Sequence, residues 1–349
     1  MECTQGHRYT GQKGSDPAQR REDAMTTLTR RQLLAGATAA GAVLAGPGAA
    51  GAQGFPTRQI RFVCPYPAGG TTDFLTRILA EKLGELVGQR VLVENRAGAA
   101  GVIGMKEVAG SQPDGHTIVM TDTSIAITPT LNPGAGLDPR AFAPVILAAA
   151  FPSVLVVHPS VPARTLPELI ALARANPGKL NFGSGGIGTG PHLHGEMFKA
   201  KAGLSIEHIA YRGNAPALQD LVAGQIQVLF TGGPTASSHI AAGTLRLIAT
   251  TGSERLPAFK DTPTALEQGL QGFVAEQWFG VLAPAATPPQ VVERLNQLLR
   301  AALADGALSQ RIADQGGIPK PGTPDAFASY IVSETAAWAE VIRTARITL

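Results

Sequence analysis

Two segments of the sequence share a construction that can hold a small anion. Residues 64–73 (CPYPAGGTTD) and 181–192 (NFGSGGIGTGPH) each read as a strand that ends in a glycine-containing turn and opens a helix. The first backbone amides of a helix have no intrahelical acceptor, and glycine lets that backbone approach a ligand closely. Each loop is therefore a candidate anion cradle.

Hydroxyl groups add to both cradles. Thr71, Thr72, Ser184 and Thr189 can either cap their helix or donate to a ligand. Ordinary strand-to-helix turns look similar, but two such loops on separate units, each at the carboxyl end of a strand, favour ligand binding.

A third turn at the end of a strand lies at residues 211–216 (YRGNAP). Asn214 can cap the helix that follows it. Arg212 can pair with a carboxylate or remain a solvated surface charge, and the sequence leaves both roles open.

Enzyme chemistry has weaker support in the same segments. Gly183-x-Gly185-x-x-Gly188 matches the dinucleotide fingerprint and follows a strand. However, the next strand ends in Tyr211 and Arg212, without the acidic residue that holds a ribose. An exported dinucleotide-dependent oxidoreductase that uses the Gly183 loop is kept as the alternative function.

Metal and hydrolase sites are incomplete. His192 and Glu196 lie one helical turn apart, but no third group of metal ligands stands out. Ser184 lacks the Gly-x-Ser-x-Gly elbow, and no set of serine, histidine and acid can be assembled. The sequence therefore predicts no catalytic residue, no metal and no cofactor.

The elements that must position these loops alternate short apolar runs with amphipathic helical runs. This order predicts an α/β fold with mainly parallel sheets flanked by helices, and 349 residues suffice for two domains. If the C-terminal residues 278–349 pack on the N-terminal domain, the chain passes between the two domains twice. The strands near 154–158 and 274–280 then form a double-crossover hinge. The predicted division is domain 1 at 55–157 and 278–349, with domain 2 inserted at 158–277.

The first 54 residues read as a leader with an export signal. Arg30 and Arg31 precede an uncharged run at 33–46, rich in alanine and glycine, and Ala-Gly-Ala follows as a cleavage site. The paired arginines favour the twin-arginine route. The run is too short for a membrane anchor, which needs about 20 residues. Translation can start at Met1 or at Met25.

Charge and cysteine content narrow the classes of partner. The formal net charge of +3 falls to +1 without the first 52 residues, which hold six basic and four acidic side chains. A body this close to neutral gives no electrostatic reason to expect nucleic acid or an anionic membrane as a partner. Of the two cysteines, Cys3 lies in the leader, so Cys64 cannot form an intramolecular disulfide.

Several motifs in a fixed order resemble one known family. They are 66–73 (YPAGGTTD), 93–98 (VENRAG), 112–117 (QPDGHT), 211–217 (YRGNAPA) and 278–285 (WFGVLAPA). Together they resemble the tripartite tricarboxylate transporter substrate-binding proteins, also called the Bug family, from about residue 55 to the C-terminus. The resemblance implies a two-domain, type II-like periplasmic binding protein that closes on a carboxylate ligand as a Venus flytrap.

The resemblance also implies a largely neutral grip of loop amides, hydroxyls and ordered waters. In the first domain the predicted ligand-binding residues are Tyr66, Ala68, Gly69, Gly70, Thr72, Asp73 and Thr121. In the second domain they are Ser184, Gly188, Thr189, His192, Gly213 and Asn214. The chain departs from the family at Thr231, where relatives commonly carry an acidic residue, and at the atypical segment 131–136 (LNPGAG).

The expected function is that of a periplasmic receptor and not of an enzyme. The receptor is expected to be a monomer that captures a small carboxylate by closure of its cleft. Its partners are then that ligand and the membrane components of a tripartite tricarboxylate-type transporter, or a sensor, with no nucleic acid. The sequence does not name the ligand.

Overall fold

The computed structural model describes residues 54–348, and the strands in this part of the chain form two sheets. The predicted export signal and Cys3 lie outside the described residues. The predicted α/β class, with two sheets flanked by helices, is confirmed. We call residues 54–152 and 276–348 the first lobe and residues 153–275 the second lobe.

The first lobe is built on a six-stranded sheet. Its strands are β1 (Ile60–Cys64), β2 (Val91–Asn95), β3 (Thr117–Asp122), β4 (Phe142–Pro152), β10 (Glu276–Pro284) and β11 (Ile318–Pro319), in the order β11-β4-β10-β3-β1-β2. Its helices are α1 (Thr71–Val87), α2 (Val102–Ala109), α3 (Ser124–Leu131), α8 (Pro289–Ala304), α9 (Gly306–Ala313) and α10 (Pro324–Thr344). Side chains alternate across the sheet, so Phe62 packs with α1, α8 and α9, whereas Val63 packs with α2, α3 and α10.

The second lobe is built on a five-stranded sheet. Its strands are β5 (Val154–Val157), β6 (Asn181–Ser184), β7 (Glu207–Ala210), β8 (Val228–Thr231) and β9 (Arg246–Thr250), in the order β7-β6-β8-β5-β9. Its helices are α4 (Leu166–Ala175), α5 (Gly190–Ala202), α6 (Asn214–Val222) and α7 (Gly233–Ala241). Leu155 faces the core under α4 and α5, and Val154 faces the core under α6 and α7.

Both sheets are mixed, which differs from the predicted mainly parallel pairing. In the first lobe β1 pairs in parallel with β2 and β3, whereas β10 runs antiparallel to β3 and β4. In the second lobe β6 pairs in parallel with β7 and β8, whereas β5 runs antiparallel to β8 and β9. The chain leaves the first lobe through β4 and returns through β10, so these two neighbouring strands run in opposite directions.

In the sequence the run at 142–157 is a nearly continuous apolar strand, broken by Pro144 and Pro152, and the structure divides it at Ser153. Its first part is β4 of the first sheet and its last part is β5 of the second sheet, so the border between lobes lies before residue 154 and not after 157. The Ser153 amide donates to the Ala275 carbonyl at 3.2 Å, and the Thr251 amide donates to the Ser153 carbonyl at 2.9 Å. Backbone hydrogen bonds therefore join the two points where the chain passes between the lobes.

The helix α3 is the main element that the sequence did not reveal. Its residues include isoleucine, threonine and an internal Pro129, which are poor helix formers. The side chains of Ile125 and Ile127 are fully buried, so tertiary packing outweighs these local preferences. Within residues 54–348, no helix combines the length and apolar character needed to cross a membrane.

Candidate functional site

The first cradle lies between β1 and α1 of the first lobe. Gly70 precedes α1 in an extended conformation, and no side chain caps the helix. The amides of residues 71–73 therefore have no intrahelical acceptor and are available to a ligand. Gly69 has a φ of 91°, in the region that favours glycine, so this tight turn depends on its missing side chain.

Asp73 holds the first cradle in shape. Its Oδ2 accepts hydrogen bonds from the Gly69 amide at 3.0 Å and from Arg77 Nε at 2.9 Å, and its Oδ1 accepts one from Asn95 Nδ2 at 2.8 Å. Burial alone would raise the pKa of Asp73, but the bonds from Arg77, Asn95 and Gly69 together hold it below its ordinary value. Asp73 is thus an ionised residue that positions the loop.

The second cradle lies between β6 and α5 of the second lobe. Thr189 is the extended residue before α5, and its hydroxyl donates to the Gly186 carbonyl at 2.8 Å and does not cap the helix. Ser184 Oγ donates to the same carbonyl at 3.2 Å and lies 2.7 Å from His208 Nε2. These hydroxyls shape the glycine-rich turn from within. The Gly186 and Gly188 amides also bond inside the turn, so the amides left for a ligand are those in the first turn of α5, at Gly190 and His192.

Two neighbouring histidine rings lie beneath the second cradle. The His192 and His208 rings lie 4.3 Å apart, and the Gly188 amide donates to His192 Nδ1 at 3.3 Å. Burial lowers the pKa of His192 to about 3 and that of His208 to about 4. Both rings are therefore neutral at ordinary pH, and they bring no positive charge to the cradle.

The third turn supplies Asn214 to the site but not Arg212. Asn214 begins α6 and borders the space between the cradles. Its Oδ1 is buried with no hydrogen-bond partner among the described residues and lies close to Gly185. Arg212 is exposed and does not line that space.

The two cradles face each other across one cavity. It has about 350 Å³ of empty space, part of which is open to solvent. Its lining residues are Tyr66, Pro67, Gly70, Thr71, Thr72, Asp122, Gly185, Thr189, Pro191, Asn214 and Gln277. The described part of the chain brings no lysine, arginine or histidine to this lining. The room for the centre of a water-sized sphere is about 20 Å³, so the cleft is narrow in this form.

The lobes touch around this cavity. Thr71 Oγ1 of the first lobe lies 3.1 Å from Thr235 Oγ1 of the second lobe. A side-chain carbon added to Gly213 would lie 2.6 Å from Pro67 Cδ, and one added to Gly186 would lie 3.6 Å from Ala100 Cβ. This close approach is the arrangement of a closed cleft.

The sequence profile described as the Tripartite tricarboxylate transporter family receptor matches residues 75–347. The chain belongs to this family of receptors. The resemblance that the motifs carry is thereby confirmed.

Relatives of the receptor share nearly its whole length. It is 38% identical over 320 residues to the UPF0065 protein in the tcbD-tcbE intergenic region of Pseudomonas sp. (strain P51), which covers 91% of this chain and 95% of that protein. It is 35% identical to the protein BugT of Bordetella pertussis (strain Tohama I), over 90% of this chain and 97% of BugT.

Solved structures of similar proteins have the same fold. The periplasmic binding protein BugD matches with a TM-score of 0.81 and 32% identity, over 84% of this chain and 99% of BugD. An R. palustris protein with adipate matches with a TM-score of 0.82 and 35% identity, over 84% and 99% of the two chains. MatC from Rhodopseudomonas palustris with bound malate matches with a TM-score of 0.79 and 29% identity, over 82% and 100%.

The cavity brings together some of the predicted ligand-binding residues of the receptor. Those that line it are Tyr66, Gly70, Thr72, Thr189 and Asn214. The predicted residues outside its lining are Ala68, Gly69, Asp73, Thr121, Ser184, Gly188, His192 and Gly213. Several of these, such as Asp73, Ser184 and His192, bond to the loops that form the lining. Their contact with a ligand stays a prediction.

Sequence reasoning missed two polar residues of the lining. Asp122 follows the predicted Thr121 by one position at the end of β3. Gln277 lies on β10 beside the crossing between the lobes, and its Nε2 donates to Ser153 Oγ at 3.3 Å. The resemblance that selected Thr121 stops one position short of Asp122 on the same strand, whereas no local signal marks Gln277.

The glycines of the dinucleotide pattern have structural roles in the receptor. A side-chain carbon on Gly183 would lie 2.5 Å from Ile226 Cδ1, and one on Gly185 would lie 2.8 Å from Asn214 Oδ1. Packing inside the second lobe therefore accounts for the glycines at 183 and 185. Among the described residues, no group of three histidine, cysteine, aspartate or glutamate side chains is placed to hold a metal.

Thr235→Val should weaken ligand binding roughly 3- to 10-fold. Valine keeps the shape of the side chain but removes the hydroxyl that meets Thr71 across the cleft, and such a bond contributes about 1 kcal/mol. Titration calorimetry with a bound carboxylate would measure the change. Thr262→Val, away from the cavity, is the matched control, and equal affinities of the two variants would contradict the expectation.

Proposed function

We propose that this receptor is exported and captures a small organic carboxylate between its lobes. The observation that supports this proposal is that α1 and α5 begin on opposite sides of one cavity, and that residues 54–348 bring no cationic side chain to its lining. Free amides and the dipole at a helix start stabilise a bound anion. Bound adipate and malate in two similar structures agree with this ligand class.

Capture follows from closure of the two lobes. The lobes are proposed to act as domains that move about the segments near Ser153 and Ala275, where the backbone passes between them. A ligand that bridges both cradles contacts the closed form more extensively than the open form, so it shifts the balance toward closure. Contacts such as Thr71 with Thr235 belong to the closed form, so the bound ligand makes them more populated.

A panel of carboxylates tests the proposed function. Monocarboxylates, dicarboxylates, tricarboxylates and amino acids would be screened by thermal unfolding and then by titration calorimetry. A true ligand at 100 times its Kd stabilises the fold by about 2.7 kcal/mol. For a protein of this size, that corresponds to a rise in Tm of about 5 °C. If no member of the panel raises Tm or releases heat, the proposal fails.

The loaded receptor is proposed to deliver its ligand to the membrane components of a tripartite tricarboxylate-type transporter. It is further proposed to act as a monomer in the periplasm after twin-arginine export. Family membership and the paired Arg30 and Arg31 support these steps. Cell fractionation, light scattering of the mature protein, and ligand uptake in a strain that lacks the receptor would test location, oligomeric state and delivery.

A further inference from the structure

One carboxyl group faces a cavity that otherwise offers neutral groups. Asp122 ends β3, and 6% of its surface is exposed. Its Oδ1 accepts hydrogen bonds from the Ser124 amide at 3.0 Å and from Tyr66 Oη at 3.1 Å, and it also accepts one from Ser124 Oγ. No hydrogen bond to its Oδ2 forms within the described residues, and the side chain lines the cavity.

Within the described part of the chain, no cationic side chain of the lining pairs with Asp122. The other lining side chains of the described chain are neutral, and the two histidines under the second cradle are also neutral. A ligand with only carboxylate groups would bring its negative charge toward a second negative charge in a narrow cavity. Repulsion between like charges is strong where water is scarce. The cavity thus has anion-binding helix starts and one acceptor that lacks a positive partner.

We infer that the ligand carries an ammonium group in addition to its carboxylate, and that Asp122 Oδ2 binds this ammonium. This inference rests on the proposed function. The carboxylate of such an amino acid lies at the helix starts of α1 and α5, and its ammonium lies at the end of β3. Charge-assisted hydrogen bonds of this kind are stronger than neutral ones, so Asp122 selects amino acids against plain carboxylic acids.

The surroundings of Asp122 agree with this role. Burial raises the pKa of Asp122, and hydrogen bonds from Ser124 and Tyr66 oppose this effect only in part. A cation bound at Oδ2 would favour the ionised form, because an opposite charge at close range stabilises a carboxylate. The cost of burying this carboxyl group is then offset when the ligand is present.

Matched pairs of compounds with one carbon skeleton test the inference. The pairs are aspartate with succinate, glutamate with glutarate, and alanine with propionate, titrated into the full receptor by calorimetry. For at least one pair we expect the amino acid to bind tenfold or more tightly than its deaminated partner. If every deaminated acid binds as tightly as its amino acid, the inference is overturned while the carboxylate receptor stands. If no compound of either kind binds, both proposals fail.

Variants of Asp122 test whether this residue causes the preference for the amino acid. In Asp122→Asn, the amino acid and its deaminated partner should bind with nearly equal affinity, because the amide keeps the size of the side chain but loses its charge. Asp122→Ser is a second variant with a smaller side chain, and circular dichroism would establish that each is folded. Asp261→Asn removes an exposed carboxylate outside the cavity and should keep the full preference. A preference that persists in both Asp122 variants would overturn the assignment.

Discussion

Gly232→Val should weaken ligand binding by roughly 10- to 100-fold while the unliganded receptor stays folded. Gly232 has an ordinary φ of −80°, so its own backbone accepts a side chain without strain. The three atoms nearest to an added Cβ all belong to Thr71 in the opposite lobe, and the Thr71 Oγ1 would overlap that Cβ. Opening of the cleft relieves this overlap. Overpacking costs about 1–3 kcal/mol, which corresponds to the expected loss in affinity.

The control for this variant is a second glycine with free space. Gly306 lies in the first turn of α9, and no atom lies within 4 Å of an added Cβ. Gly306→Val should therefore bind ligand like the unmodified receptor. Small-angle scattering with saturating ligand should show compaction for Gly306→Val and less for Gly232→Val. Full affinity and full compaction of Gly232→Val would show that the lobes do not meet at this point when loaded.

The sequence was sufficient to predict the two cradles because their signals are local. A strand, a glycine-containing turn and a helix start follow one another within residues 64–73 and again within 181–192. Both predicted loops have this form in the structure, and their helices begin at Thr71 and Gly190. Local backbone geometry depends on neighbouring residues, so it can be predicted without knowledge of the packing.

The direction of each side chain could not be predicted in the same way. Ser184 and Thr189 have the hydroxyls expected of ligand donors, yet these hydroxyls bond to Gly186 within their own loop. Asp122 and Gln277 line the cavity because β3 and β10 are neighbours in the sheet, which sequence spacing does not reveal. Which polar atoms reach a ligand depends on how the two lobes meet.

The position of the border between the lobes could not be predicted from the sequence either. The run at 142–157 is apolar except for Ser153, and such a run fits one long strand as well as two short ones. The structure divides it at Ser153, where the chain leaves one sheet for the other. The hydrophobic pattern predicts that both segments are buried. It does not predict the sheet in which each segment pairs.

His194 should make the stability of the receptor depend on pH. Its ring is fully buried, its Nδ1 lies 2.9 Å from Ser153 Oγ, and its Nε2 has no hydrogen-bond partner among the described residues. Burial lowers the pKa of His194 from 6.5 to about 3, although the nearby Glu276 backbone opposes this shift. The folded state therefore keeps the ring neutral where the unfolded chain binds a proton. The neutral His194 ring therefore makes its full contribution to the free energy of unfolding above about pH 6.5. This contribution is lost as the pH falls toward 3.

Replacement of His194 by asparagine should flatten this dependence. Each pH unit below 6.5 costs the unmodified receptor about 1.4 kcal/mol at this residue, or about 2 kcal/mol by pH 5. Urea unfolding between pH 7.5 and pH 5 would measure the free energy of unfolding of both proteins. At pH 7.5 the free energy of unfolding of His194→Asn should be lower than that of the unmodified receptor, because the smaller side chain leaves a cavity. Between pH 7.5 and pH 5, however, the variant should lose about 2 kcal/mol less than the unmodified receptor. Parallel curves would mean that the ring at the crossing between the lobes is protonated in the folded receptor, and that burial does not hold it neutral.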